Sequence, residues 1–227
     1  MPTARTLGLG LVILGLGIGA LVPIFMVVYP AAGITPSDAS NPAVVLPVIA
    51  ANPLLVTGPG ALEIGVHVIG AVVLVGFWAR FGPTSFLMAV ATLGGLLWLS
   101  VDVIDNAITY HAVPGLAADY VGGTTAAGPA FVQLTSVVEA VRLGAHVVGG
   151  LWVVGLSIFA IRTRTLPAVV GWLGIAVGAV FAANLFVPAL LNISFLTMPT
   201  WLVILGASVA RAQVASVPAM LPRIAEA

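Results

Sequence analysis

Leu62 to Gly76 reads LEIGVHVIGAVVLVG. The stretch is apolar enough to cross a bilayer, yet it carries Glu63 and His67. Four residues apart, these two share one face of a helix, and Gly70 extends that face by a turn. The chain then repeats itself. Gly65, His67, Val68, Gly70, Val75 and Gly76 recur at a fixed offset as Gly144, His146, Val147, Gly149, Val154 and Gly155. Glycine and valine matches carry little weight in a chain so rich in both. Paired histidines carry more, because the sequence holds only 3. The protein is read as organised around whatever Glu63, His67 and the second copy face.

Composition sets the class. The chain has 227 residues, 61% hydrophobic and 6% charged, far from the globular norm and typical of a polytopic membrane protein. Its apolar runs have helix length, which favours a helical bundle over a barrel of short alternating strands. There is no lysine and no cysteine. Schiff-base and lysine-nucleophile chemistry, disulfides, thiolate metal sites and thiol redox chemistry are thereby excluded. The richness in Ala, Val, Gly and Leu suggests a bacterial gene of high GC content. The run from Leu7 to Val28 is too long for a signal peptide and is kept as a span. Sparse positive charge argues against nucleic acid as a partner. Phosphate-loop, dinucleotide and GxSxG motifs are missing from any suitable context.

The expected fold is all-α: one polytopic transmembrane helical bundle over residues 1–227, with six spans at roughly 6–29, 60–80, 84–110, 132–161, 166–188 and 193–211. Pro23 should kink the first span, where Gly15 and Gly19 offer a close-packing face. Residues 30–59 hold Pro30, Pro36, Pro42, Pro47, Pro53 and Pro59. They read as a periplasmic or interfacial connection that does not cross. Residues 112–130, with Gly115, Gly122, Gly123 and Gly128, read as a second soft connection. Six spans place Arg5, Arg80, Arg162, Arg164, Arg211 and Arg223 on one side. Asp38, Glu63, Asp102, Asp105, Asp119 and Glu139 fall on the other side or in its half of the membrane. The positive-inside rule then puts both termini in the cytoplasm of a bacterial inner membrane. Spans two and four run parallel, so spans two–three and four–five form a two-helix internal repeat about an axis along the membrane normal. His67 and His146 fall at one depth, facing a shared cavity.

Three amphipathic faces carry the chemistry. Span two offers Glu63 and His67. Span three offers Asp102, Asp105, Asn106 and Thr109, spaced to lie on one face and expected to turn toward spans two and four. Span four offers Thr135, Glu139, Arg142 and His146. Asn184 and Asn192 lie near the outer ends of the last spans, and His111 lies at the water interface. Ionisable groups at membrane depth usually face a cavity or pathway. The candidate catalytic residues are Glu63, Asp102, Asp105, Glu139 and Arg142, with His67 and His146 as candidate cofactor ligands. Glu63, His67, Glu139 and His146 are the carboxylate and imidazole donors that a divalent metal would take. Their spacing is not a known metal signature: neither HExxH nor the Glu-x-x-His of di-iron bundles is present.

The segment from His146, HVVGGLWVVGLSIFAIRTRTLPAVVGWLGIAVGAV, resembles the late spans of an uncharacterised family of small six-span bacterial membrane proteins common in actinobacteria. The likeness lies in Gly149 to Trp152, the turn from Arg162 to Pro167, and Trp172 to Gly174. It implies six spans and brings no activity or site residues with it.

Four functions fit these residues. One is a membrane-embedded enzyme doing acid–base or metal-assisted chemistry on a lipid-like small molecule. The second is a b-type haem protein, with His67 and His146 as axial ligands and Gly70 and Gly149 making room. The third is a proton- or cation-coupled carrier, which would need a polar path that the inner half does not offer. The last is a scaffold or assembly partner.

Overall fold

The computed structural model describes residues 3–211. Arg223 and the C-terminus, placed above on the cytoplasmic side, lie outside them. Seven helices account for most of the described chain. Helix α1, Ala4–Ala31, is followed by α2, Pro42–Ala51, and α3, Leu54–Phe81; then come α4, Phe86–Val121, and α5, Ala127–Thr163. Helices α6, Ala168–Ala183, and α7, Leu191–Arg211, complete the order.

Local chemistry explains most boundaries. Asn41 caps α2 by accepting from the Ala43 amide, with Pro42 at the first helical position, where a missing N–H costs nothing. Ser85 caps α4 by accepting from the Met88 amide. Helix α4 stops at the Gly122–Gly123 pair, where Gly123 takes a φ of 86° that a side chain would resist. Within α1, Ile24–Val28 widens into π-helical turns between Pro23 and Pro30, each of which lacks a donor for the regular ladder.

Six of these helices close a ring. Helix α3 packs on α1 and α4, α5 on α4 and α6, and α7 on α6 and α1. The α1–α7 seam is tight: a Cβ on Gly8 would sit 2.5 Å from the Gly206 carbonyl oxygen, and one on Gly206 would sit 2.5 Å from that of Gly8. The close-packing face of α1 thus runs through Gly8 and Gly15, while Gly19 meets only the Pro199 side chain. Neighbours run antiparallel. Gly10 lies over Val73 and Gly17 over Val66, just as Ala91 meets Gly155 and Trp98 meets Gly149. Arg5, Arg80, Arg162, Arg164 and Arg211 therefore gather at one end of the bundle.

Five helices, α1, α3, α4, α5 and α7, are long and apolar enough to cross a membrane, and their exposed faces carry residues such as Leu16, Val72, Leu93 and Leu151. The protein is an all-α polytopic membrane bundle. Helix α6 is shorter, with 16 residues spanning about 24 Å against a hydrocarbon core of roughly 30 Å. It ends at Ala183, not at 188, and Asn184 at its C-cap is fully buried.

The soft connection expected over 112–130 is instead helical on both sides of a short turn. Helix α4 continues through Pro114 and Gly115 to Val121, and α5 starts at Ala127. Buried apolar contacts override these poor helix formers. Val113 and Ala117 of α4 and Phe131 of α5 form a second core with Ile34, Val45, Leu46 and Ile49. Helix α2, inside the 30–59 connection, supplies three of these residues. At 36 and 37 residues, α4 and α5 reach roughly 54–56 Å and outrun the hydrocarbon.

Candidate functional site

Helix α4 turns Asp102, Asp105 and Asn106 inward, while Ile104 and Ile108 face outward. The inward face bridges α3 and α5, as its spacing predicts. Asp102 takes His67 of α3, with Nε2 to Oδ2 at 3.2 Å. Asp105 takes Arg142 of α5, whose Nε donates to Oδ2 at 2.8 Å. Asn106 braces both from the same helix: its Nδ2 donates to the Asp102 carbonyl at 2.7 Å and to Asp105 Oδ1 at 3.0 Å. At about 1.5 Å per residue, His67 lies roughly 21 Å from Phe81 at the end of α3, and Asp102 roughly 24 Å from Phe86 at the start of α4.

The bonding of His67 fixes its tautomer. Its Nδ1 lies 2.7 Å from the Glu63 carbonyl oxygen. A carbonyl only accepts, so Nδ1 carries a proton. Nε2 then either accepts from a protonated Asp102 or, itself protonated, donates to the carboxylate. In both states one proton lies on the Nε2–Oδ2 line and the pair carries no net charge. His67 is 2% and Asp102 4% exposed, a setting in which an unpaired charge would be costly. Among the described residues, Asp102 Oδ1 is buried without a partner.

The cluster opens to one side. Arg142 spends only Nε on Asp105, and its side chain is 35% exposed. The half-buried Glu63 lies within Coulombic reach of His67, Arg142, Asp102 and Asp105. Tyr29, near the C-terminal end of α1, lies in the field of Glu63 and Arg142 and donates to the Leu55 carbonyl at 2.7 Å.

His146 belongs to a different neighbourhood. Its Nδ1 lies 3.5 Å from Asn184 Nδ2, and Asn184 in turn bonds Ser194 of α7 at 3.0 Å. Phe181 lies over the His146 ring at 4.3 Å between centroids. Trp98 fills the space between the two histidines, edge-on to His67 at 5.8 Å and against Phe181 at 5.3 Å. The room expected around the two glycines is also taken. A Cβ on Gly149 would meet Trp98 and Phe181 at 2.8 Å, and one on Gly70 would meet Leu14 at 2.9 Å. Among the described residues, the Trp98 and Phe181 rings thus link the two histidines by contact, where the sequence reading expected an open shared cavity.

The metal set is not assembled either. Among the described residues, no three His, Asp or Glu side chains converge as metal ligands would. Glu139 is exposed, His67 is bonded to Asp102 and His146 to Asn184. Glu139, three residues from Arg142 on the same helix, leaves it to Asp105, the more buried carboxylate. His111 and Asn192 are exposed and Thr135 bonds its own helix, so all three stand apart from the cluster. Trp98 and Ser194 were not singled out by the sequence. The only signal for Trp98 is its place four residues before Asp102, on the same helix face.

No family model, curated protein or solved structure matches the chain. The likeness of Gly149 to Trp152 and of the Arg162 turn to a bacterial six-span family therefore assigns no family, and the polytopic membrane bundle is what stands.

Proposed function

We propose that the chain is a proton-handling membrane protein whose acid–base centre is the His67–Asp102 pair. One observation carries this reading: both ring nitrogens of His67 are committed, Nδ1 to a carbonyl and Nε2 to Asp102. The exchangeable proton is then the one between Nε2 and Oδ2, and Asp102 Oδ1 is the open valence. Glu63, half-buried and within the field of the pair, exchanges protons with water on the open side. A proton gained or lost changes the bond that ties α3 to α4, while Asp105–Arg142 holds α4 to α5 throughout.

The topology that goes with this reading has six spans, α6 being the sixth, in a bacterial inner membrane with both termini cytoplasmic. The gathering of five arginines at one end supports it. The internal repeat rests on the paired histidines, each of which bonds a polar side chain further along the chain, His67 to Asp102 and His146 to Asn184.

The partial exposure of Arg142, with its terminal nitrogens unbonded among the described residues, favours a second reading. In that reading the centre is enzymatic, and Arg142 with Glu63 holds the polar end of a lipid-like small molecule. Infrared difference spectra of the reconstituted protein, recorded across an outside pH step, test the first reading. A protonated-carboxyl band lost in Asp102→Asn and unchanged in Glu139→Gln is expected. Lack of any Asp102-dependent band would overturn the proposal.

A further inference from the structure

We infer that Trp98 is a positioning residue for the His67–Asp102 pair, its indole N–H serving Asp102 Oδ1 when that carboxyl is ionised; the inference rests on the acid–base reading above. Two buried polar atoms near the pair lack partners among the described residues, and they are complementary. Trp98 Nε1 is a donor with no acceptor, and Asp102 Oδ1 is an acceptor with no donor. The other two such atoms, on Trp78 and Arg80, lie near the arginine-bearing end of α3. Trp98 and Asp102 sit one turn apart on one face of α4 and are 2% and 4% exposed. The indole also lies edge-on to the His67 ring at 5.8 Å, so it is beside the pair whichever atom holds the proton.

Proton position decides whether the indole is needed. With the proton on Asp102, Oδ1 is a neutral carbonyl-like oxygen, and an unmade bond to it costs less than one to a carboxylate. With the proton on His67, Oδ1 belongs to a buried carboxylate, whose hydrogen bonds are about twice as strong as neutral ones. A donor one turn away on the same helix then lowers the energy of the ionised form specifically. The ring is held ready from behind: Trp152 stacks on it at 5.8 Å, Phe181 meets it at 5.3 Å, and Gly149 leaves no atom to displace it. Other charged or titratable groups in the same field are Glu63 on α3, Asp105 on α4, Arg142 and His146 on α5, and Tyr29 on α1. None of these is a buried, unpartnered donor.

The test is the pH midpoint of the Asp102 carboxyl band in the reconstituted full chain. Trp98→Phe keeps an aromatic ring but removes the indole N–H together with part of the ring's volume. It is expected to raise the midpoint by about one pH unit, roughly tenfold tighter proton holding, because the ionised form loses a charge-assisted bond. Gly149→Ala, whose Cβ would press on the indole at 2.8 Å, is expected to move it in the same direction and covers the case in which Trp98→Phe does not fold. A wild-type band whose midpoint neither variant moves overturns the role of Trp98 and leaves the acid–base reading standing. A wild type with no Asp102-dependent band takes both down.

Discussion

Replacing Arg142 by Leu while keeping Asp105 is expected to be among the most damaging single changes in the bundle. Asp105 is 2% exposed and has both oxygens bonded, Oδ2 by Arg142 and Oδ1 by Asn106. The substitution leaves a buried carboxylate with one neutral donor. Breaking a buried pair from one side costs about 3–5 kcal/mol, and the 35% exposure of the Arg142 side chain admits enough screening to place the loss near the lower end. Adding Asp105→Asn removes the stranded charge and keeps an amide beside Asn106. The double variant should return to within about 1 kcal/mol of wild type, a coupling of roughly 2 kcal/mol. Equilibrium unfolding in mixed micelles with increasing denaturing detergent measures all four corners of the cycle. A single Arg142→Leu loss below about 1 kcal/mol, or strict additivity of the two changes, would refute the claim that this ion pair is a buried tie between α4 and α5.

Three further outcomes follow from the same contacts. Gly149→Ala should destabilise by about 1–3 kcal/mol through overpacking against Trp98 and Phe181, whereas Gly144→Ala, with no atom within 4 Å of its added Cβ, should be neutral or slightly stabilising in the same unfolding assay. Glu139→Gln should leave stability unchanged within about 0.5 kcal/mol, since the side chain is exposed and pairs with nothing among the described residues. The native chain has no cysteine, so single cysteines at Ser37 and Thr165 report sidedness directly. An impermeant thiol reagent added outside should label Ser37→Cys alone, and labelling of Thr165→Cys instead would reverse the orientation.

Much of the fold was readable because the bilayer imposes a simple rule: long apolar runs become helices, and polar residues on them turn inward. Spans α1, α3, α4, α5 and α7 follow from that, as does the inward face of Asp102, Asp105 and Asn106. The continuation of α4 through Pro114 and Gly115 was not readable. It depends on a core shared with Ile34 and the α2 residues Val45 and Leu46, which no local pattern announces. The site divides in the same way. Depth and helical stripe grouped Glu63, His67, Asp102, Asp105, Glu139, Arg142 and His146, and the structure takes Glu139 and His146 out of that group. Which partner each would take was not legible. Arg142 had Glu139 three residues away and bonds Asp105 on another helix, because only the buried carboxylate gains from losing its isolation. The matched histidines invited a common ligand. The large residues Trp98 and Phe181, which fall at no repeat-matched position, fill the gap between them.

The protonation of the His67 ring is the most direct test of the central claim. Nitrogen-15 spectra of the reconstituted protein, labelled at histidine and assigned with His67→Gln, report each ring nitrogen separately. Nδ1 is predicted to be protonated in wild type and to remain so in Asp102→Asn, because the Glu63 carbonyl is untouched. Nε2 is predicted to show a shared proton in wild type, and to revert to a plain acceptor in Asp102→Asn. An Nε2-protonated, Nδ1-free neutral ring, or an Nε2 signal indifferent to Asp102→Asn, would contradict the account.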